Sequence, residues 1–237
     1  GYFTDEPNVF DFFLSVSPNR AYLPWSYTFL SEFETRRGYS IIAYLPYLFL
    51  DGSDGNPYRF DYWRTISELF LESYTKQVYT WCKDHQVLLT GHMLYENDLG
   101  YQVRTSGSVM PHYRYLDMPA IDLLGDQRSE YLTVKQCSSV ANQFNKQHVL
   151  SETYGCTGWD LTFQAQLRLG NWQYLMGVTR RCQHLALYTI AGCRKRDYPP
   201  SFNYQTTWFE NLSLLEEYFA RLSVCTTTGA VQRAILV

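Results

Sequence analysis

The sequence lacks an excess of positive charge and is poor in charged residues of either sign. Its 237 residues include 20 Lys and Arg against 23 Asp and Glu, a net charge of −3, and charged residues make up 18% of the chain. Domains that bind nucleic acids carry a basic excess, so this balance argues against such a partner. Long apolar runs are also missing, because none approaches the ~20 residues that cross a bilayer. The sequence therefore predicts neither a nucleic-acid nor a membrane partner.

The cysteines lack the spacing of a metal or redox site. They are Cys82, Cys137, Cys156, Cys182, Cys193 and Cys225, and no two of them form a C-x-x-C pair. Scattered cysteines in a chain of this length are not typical of a disulfide scaffold. Most of them fall on apolar faces, where free Cys behaves as a small hydrophobe, so we predict buried free thiols. This pattern favours a reducing compartment.

Several motifs of cofactor and nucleophile chemistry are missing as well. The chain has no G-x-G-x-x-G, no phosphate-binding G-x-x-x-x-G-K-[ST], no G-x-S-x-G and no H-E-x-x-H. We therefore predict no organic cofactor. The run Arg194-Lys195-Arg196 leaves open a nucleotide- or phosphate-using enzyme, but the missing glycine-rich loop argues against it. We favour a loop that turns one Arg toward the site.

Aromatic residues, by contrast, are abundant. They make up 17% of the chain, with 21 Tyr, 14 Phe and 6 Trp, and a disordered protein would have few of them. Sugar faces stack on aromatic rings, so the composition suits a carbohydrate-binding groove. It suits an ordinary large core equally well.

The hydrophobic pattern alternates short apolar strands with amphipathic helices. The predicted strands are Tyr2–Thr4, Val87–Thr90, Ala120–Leu124, His148–Ser151, Leu185–Ile190 and Val231–Val237. The predicted helices are Pro24–Arg37, Asp61–Asp84, Leu132–Gln147, Leu161–Met176 and Trp208–Leu222. Continuously apolar strands between helices indicate an α/β fold with a parallel sheet covered by helices.

Two architectures produce this alternation, an open doubly wound sheet and a (β/α)₈ TIM barrel. A complete barrel needs ~250 residues, so this chain would hold only part of one. It begins without Met and ends within the apolar run Ala234–Val237. We therefore expect a piece of a longer protein.

Polar side chains follow the predicted strands, where catalytic groups of parallel α/β folds lie. They include Asp5, Glu6, His92, Glu96, Asp126, Glu152, Tyr154, Trp159, Asp160 and Arg194. Each carboxylate alone could equally be a helix cap or a member of a structural ion pair. Together, paired carboxylates flanked by aromatic residues and a His suit glycoside hydrolysis, in which one carboxyl donates a proton and the other attacks or activates water.

Several strings occur together in an order that is specific to one family. They are GYFTDEP at residues 1–7, TGH at 90–92, LSETYG at 150–155, GWDL at 158–161 and CRKRDYPPSF at 193–202. With these strings the chain resembles bacterial α-L-rhamnosidases of glycoside hydrolase family 106 and their relatives. The resemblance implies a (β/α)₈ barrel within a much longer protein that also has accessory β-domains. Residues 1–225 would hold about strands 4 to 8 of the barrel, and residues 226–237 would begin a following β-rich domain.

The resemblance also implies roles for individual residues. Glu6 and Glu152, and as a third candidate Glu96, would be catalytic, with Glu6 as the acid and Glu96 or Glu152 as the base of an inverting reaction. A bound calcium ion is implied, held by any of these carboxylates together with oxygen donors such as Asp5. The residues expected to contact the sugar are Asp5, His92, Tyr154, Trp159, Asp160, Arg194 and Tyr204.

Other readings of the family resemblance stay open. The expected substrates are terminal sugars of plant-type or other complex carbohydrates, but related barrels cleave galactosides, and a non-catalytic carbohydrate-binding barrel would need fewer carboxylates. Localisation is undecided between the bacterial cytoplasm, which the cysteines favour, and the periplasm or medium. The N-terminal barrel half and accessory β-domains of the same polypeptide are the expected partners, and we expect the chain alone to be inactive.

Overall fold

Five short parallel strands form the centre of the fold. The structure is a computed structural model that describes residues 1–10 and 22–229. The strands are β1 (Tyr2–Thr4), β2 (Leu89–Gly91), β3 (Met118–Leu123), β4 (Leu150–Thr153) and β5 (Arg180–Gln183). The predicted strand Val231–Val237 lies outside the described residues. The fold is therefore α/β with a parallel sheet, as the apolar strands predicted.

The strands lie in the sheet in the order in which they occur in the chain. Each pairs with the next, β1-β2-β3-β4-β5, and every pair is parallel. A doubly wound sheet reverses its strand order at a switch point, whereas a barrel adds each new strand on the same side. The observed order has no reversal and is consistent with part of a barrel.

Helices connect the strands and cover the sheet. They are α1 (Phe29–Arg37), α2 (Asn56–Phe70), α3 (Lys76–Asp84), α4 (Leu99–Thr105), α5 (Met110–Tyr113), α6 (Leu132–Gln143), α7 (Phe163–Met176) and α8 (Leu212–Thr227). A single π-turn, Leu71–Thr75, joins α2 to α3, so that the predicted helix Asp61–Asp84 is confirmed and begins earlier, at Asn56. Gly38 ends α1 with a left-handed φ of 78°, as its position predicted.

Three apolar cores hold the described elements together, and the smallest packs Tyr154 with Leu161, Leu169 and Phe202. The largest lies between the sheet and its helices and includes Leu89, Ile121, Val134 and Phe219. The second lies within the long connection between β1 and β2, where Phe29, Phe33, Ile41, Tyr62 and Ile66 pack together. Much of the aromatic content therefore builds core, as the plainer interpretation of the composition expected.

One predicted strand is wrong. Leu185–Ile190 is a loop, and the strand at this point is β5, Arg180–Gln183. In the loop Leu187 is buried, while Tyr188 is 93% exposed. Strand β5 pairs only with β4 among the described residues, and its polar side chains suit this position at the margin of the sheet. The apolar run at Leu185–Ile190 predicted a strand wrongly, because a packed loop can also bury apolar side chains.

The prediction of buried thiols is wrong for most of the cysteines. Cys82 and Cys137 are buried, whereas Cys156, Cys182, Cys193 and Cys225 are exposed, and all are free. Helix α8 continues to Thr227, and the expected domain boundary at residue 225 stays a prediction. Within the described part of the chain, none of the helices combines the length and the apolar character that a membrane span requires.

Candidate active site

Acidic and histidine side chains meet where the carboxyl ends of the strands come together. Asp5 and Glu6 follow β1, His92 follows β2, Asp122 lies near the end of β3, and Glu152 lies in β4. We refer to Asp5, Glu6, His92, Asp122 and Glu152 as the strand-end cluster. Two overlapping groups of three, Asp5–His92–Glu152 and Glu6–His92–Asp122, each place one ligand atom per residue within 4.8 Å of the others.

The strand register brings these side chains together. Asp122 and Glu152 are register partners in β3 and β4, so the two carboxylates lie side by side. Gly91 is the register partner of Thr4, and a Cβ atom on Gly91 would lie only 2.2 Å from the Thr4 carbonyl oxygen. This close approach, at a φ of 150° that favours glycine, places His92 beside Asp5.

His92 lies at the centre of the cluster and is completely buried. Its Nε2 atom is 3.0 Å from Asp5 Oδ1 and 3.8 Å from Asp122 Oδ2, and its Nδ1 atom is 3.9 Å from Glu152 Oε2. Neither nitrogen makes a well-aligned hydrogen bond with another described residue. Burial lowers the pKa of His92, against the opposing effect of Asp5. The imidazole is therefore neutral near pH 7 in this arrangement.

Three carboxyl groups of the cluster, those of Glu6, Asp122 and Glu152, have a pKa above that of an ordinary carboxylate. Burial, and then the charge of Asp5, raise the pKa of Glu6. Burial and the charges of Asp5 and Glu6 raise the pKa of Glu152 to about 7, and burial, Glu152, Glu6 and Asp5 raise that of Asp122 to about 8. Among the described residues no Lys or Arg forms an ion pair with any of them. Such a group can keep and transfer a proton near neutral pH.

Glu96 has a different environment from the other candidate carboxylates. It is 4% exposed, its Oε1 accepts hydrogen bonds from the Met93 amide at 3.1 Å and from the Tyr113 hydroxyl, and its Oε2 accepts from the Asp122 amide at 3.1 Å. Burial raises its pKa to about 8, although these hydrogen bonds act in the opposite direction. Through these hydrogen bonds Glu96 links the segment after β2 to strand β3, which carries Asp122 of the strand-end cluster.

The remaining residues predicted to contact sugar lie elsewhere in the described structure. Tyr154 is fully buried and donates a hydrogen bond to the Gln166 carbonyl oxygen. Trp159 donates to the Lys195 carbonyl oxygen at 2.6 Å, Asp160 is exposed, and Arg194 lies in an exposed turn of 3₁₀-helix. Tyr204 is 68% exposed. The structure therefore brings Asp5 and His92 into the cluster and leaves these five outside it.

Asp122 and His184 are members of the site region that the sequence interpretation missed. The polar residue noted after this strand in the sequence was Asp126, which pairs with Arg128 at 2.7 Å and Arg168 at 3.2 Å on the surface. The signal for Asp122 was present, since it is an ionisable residue within the apolar run Ala120–Leu124. His184 follows β5, and its Nε2 atom lies 3.8 Å from Glu152 Oε1. His184 was overlooked because the predicted strand was placed at Leu185–Ile190, after this residue.

A cavity of about 790 Å³ opens beside the cluster. Glu6, Glu96 and Asp122 contribute to its wall, together with amide, phenol and apolar side chains from the segments after β1, β2 and β3. The described structure thus provides a concave space next to carboxylates that can exchange protons. This is the arrangement expected of a small-molecule or carbohydrate site.

Comparison with known proteins adds a family and a fold. A family model named Glyco_hydro_106 and described as alpha-L-rhamnosidase matches residues 11–235. The solved structure of a rhamnosidase from Novosphingobium sp. PP1Y superposes with a TM-score of 0.69 and 23% sequence identity, covering 86% of this chain and 21% of that one. At this identity the structural likeness establishes a shared fold.

A curated relative points to the same broad class of enzyme. A Formosa agariphila protein named "Putative beta-glucuronidase" is 25% identical over 213 residues, which cover 83% of this chain and 17% of the relative. The chain therefore spans about a fifth of the length of the proteins it matches.

Proposed function

The chain belongs to the alpha-L-rhamnosidase family Glyco_hydro_106, and from this we propose that the strand-end cluster is the catalytic centre of a glycoside hydrolase. The observation that carries the proposal is the convergence of Asp5, Glu6, Asp122 and Glu152 around the buried His92. Glycoside hydrolysis needs two carboxyl groups, one protonated and one able to attack or to activate water. Raised pKa values in a cluster without Lys or Arg partners, among the described residues, favour such a division.

Within the cluster we assign Glu6 as the general acid and Glu152 as the general base or nucleophile. Both are half-buried; Glu6 follows β1 and Glu152 lies in β4, and each belongs to one of the two groups of three that share His92. Glu96 was the other candidate base, but both of its oxygens already accept hydrogen bonds from buried groups. Its role in this proposal is to position the strand end that carries Asp122.

The proposed substrates are terminal α-L-rhamnosides of complex carbohydrates. The family description supports this sugar, and the sequential parallel strands support a catalytic domain in which these residues form about strands 4 to 8 of a (β/α)₈ barrel. In a longer polypeptide, the remaining strands and accessory β-domains would complete the sheet and the substrate groove.

We propose that the carboxylates of the cluster, and not His92, would hold a calcium ion. Asp5 with Glu152, or Glu6 with Asp122, offers the oxygen ligands that calcium prefers, whereas the His92 nitrogen that belongs to both groups of three is a poor ligand for it. When bound, the ion would supply positive charge that lowers carboxylate pKa values and orients sugar hydroxyls. The carboxylate that does not bind the ion remains available for proton transfer.

The test replaces each catalytic carboxylate in the complete polypeptide. We expect Glu6→Gln and Glu152→Gln to lower kcat on an aryl α-L-rhamnoside by about 10²- to 10⁴-fold, because each removes a proton-transfer group. Asp126→Asn is the matched control. It changes an exposed carboxylate that follows strand β3 of the same sheet, and this variant should keep full activity. Chelation followed by added calcium, in the same assay, tests the ion.

Retained activity in both Gln variants would refute the assignment. Sugar binding without hydrolysis of any aryl glycoside would favour a carbohydrate-binding barrel, and cleavage of galactosides alone would favour a galactosidase-like enzyme.

A further inference from the structure

We propose that the exposed run Arg194–Arg196, which we call the basic turn, binds an anionic group of the substrate outside the strand-end cluster. The anionic group is a carboxylate or a sulfate ester on the sugar to which the cleaved sugar is linked. This inference rests on the proposed glycosidase function and names a property of the substrate that the family description leaves open, which is its negative charge.

The basic turn concentrates positive charge in a chain whose net charge is −3. Its three cations are consecutive, and all of them are exposed. Among the described residues none of the three forms an ion pair, whereas Arg128 and Arg168 share the carboxylate of Asp126. Asp197 comes directly after the turn and forms no ion pair with it in the described structure. The basic turn therefore offers charged donors to a ligand.

The segment that carries the basic turn lies on the same side of the sheet as the strand-end cluster. It connects β5 to α8 and so leaves the carboxyl end of a strand. It begins at His184, whose Nε2 atom lies 3.8 Å from Glu152 Oε1. Tyr198, two residues after the turn, packs against the His184 ring with 5.5 Å between the ring centres and lines the cavity. The basic turn therefore lies at the rim of this cavity.

Hydrogen bonds to the segment after β4 fix the backbone of the basic turn. The Trp159 indole donates to the Lys195 carbonyl oxygen at 2.6 Å, and the Gly158 amide donates to the Pro199 carbonyl oxygen at 3.1 Å. Trp159 remains 37% exposed, so an aromatic surface adjoins the turn and can stack on a sugar face. A backbone that is already fixed loses less conformational entropy when its side chains bind a ligand. The turn is thus preorganised for binding.

The chemistry of the basic turn indicates the kind of anion. Guanidinium groups bind carboxylates and tetrahedral oxyanions through paired N–H donors, and the lysine ammonium adds a compact charge. Glycans carry such anions as uronate carboxylates or sulfate esters, and either would meet the same donors. A nucleic acid would need a wider basic surface, which the net charge of −3 does not provide. Because the turn adjoins the proposed glycosidase site, the ligand it suits is an acidic glycan.

The experiment compares three disaccharides that differ in one group. Each has L-rhamnose linked α-(1→4) to a second sugar, which is D-glucose, D-glucuronate or D-glucose 6-sulfate. Calorimetry would measure Kd in the complete polypeptide carrying Glu152→Gln, which slows hydrolysis. We expect at least one acidic disaccharide to bind at least tenfold more tightly than the neutral one at about 0.02 M salt, and the preference to fall below threefold at about 0.5 M salt, because salt screens exposed charges.

Variants that remove charge assign this preference to the basic turn. A single exposed ion pair changes affinity by about fivefold at most, so a tenfold preference requires more than one cation. Arg196→Gln should therefore reduce the preference about two- to threefold, and replacing all three residues of the basic turn by Gln should abolish it. The matched control removes three exposed cations from other parts of the chain, Arg64→Gln, Arg114→Gln and Arg221→Gln, and should keep the preference.

Each outcome decides the proposal. Tighter binding of only one acidic disaccharide would support it and identify the anion as a carboxylate or a sulfate ester. Equal Kd values for the three disaccharides, no binding of any of them, or a preference that survives the triple change in the basic turn would overturn it. Hydrolysis of an aryl α-L-rhamnoside by the unmodified protein is measured separately, so a failure of this proposal is distinct from a failure of the glycosidase assignment.

Discussion

At the scale of single residues, the buried imidazole of His92 organises the site. It touches carboxylates from three strands while remaining neutral, because burial opposes its protonation more than Asp5 favours it. A neutral imidazole that lies between carboxylates cannot offset their negative charge. Burial and the neighbouring negative charges therefore let Asp122 and Glu152 keep their protons to unusually high pH, which is the property that general acid catalysis uses.

Glu96 supplies a prediction about pH. Burial raises its pKa to about 8 from the ordinary 4.5, so the folded chain holds an extra proton between these values and the unfolded chain does not. The free energy of local unfolding should therefore fall as pH rises through this window, by at most about 1.4 kcal/mol per pH unit. Glu96→Gln cannot titrate and should make this dependence shallower, while Asp122, whose pKa is also raised to about 8, keeps its own contribution.

Hydrogen-exchange protection of residues 89–123 in the complete polypeptide, measured across that pH window, would check the slope. Glu217→Gln, which alters an exposed carboxylate on α8, should leave it unchanged. A slope in Glu96→Gln as steep as in the unmodified protein would mean that Glu96 is ionised throughout.

At the scale of elements, β5 explains why one strand was misplaced. Its residues Arg180–Gln183 show no apolar run, yet the strand is held to α8 by a polar contact. The Arg181 guanidinium donates to both Glu216 oxygens at 3.0 Å and to the Tyr154 hydroxyl at 2.7 Å. It also lies 3.6 Å from the centre of the Phe219 ring. Periodicity arguments detect apolar burial and overlook a buried, paired arginine.

This contact predicts a difference between two adjacent arginines. Arg181 is 2% exposed, and Arg181→Ala should lower the free energy of unfolding around α8 by about 2 kcal/mol, since it removes the cation that pairs with Glu216 and one of the hydrogen bonds of Tyr154. Arg180→Ala removes an exposed side chain whose one hydrogen-bond partner among the described residues is His148, and it should have little effect. Hydrogen exchange of α8 in the complete polypeptide would compare them, and equal protection in the two variants would contradict the inferred role.

At the scale of the whole molecule, the sheet has open margins. Among the described residues β1 pairs only with β2, and Tyr2 and Phe3 on β1 are 51% and 47% exposed. Exposed strand edges with apolar side chains favour association between chains. The matched relatives are about five times longer, so other parts of such a polypeptide would supply partners.

We therefore expect this 237-residue chain, expressed by itself, to aggregate and to lack glycosidase activity. Size-exclusion chromatography with light scattering, together with the aryl glycoside assay, would measure both. An active monomer with a cooperative unfolding transition would show that the margins need no further partner.

The sequence by itself determined the fold class, the strongest helices and four members of the cluster. Apolar strands between amphipathic helices predicted the parallel sheet, and polar residues at strand ends predicted Asp5, Glu6, His92 and Glu152, because these patterns depend on local order along the chain. Tertiary structure alone decided which candidates meet. Register pairs Asp122 with Glu152, the close approach at Gly91 brings His92 to Asp5, and burial turns Tyr154 inward. Contacts between distant residues depend on register and packing, which a single sequence does not display.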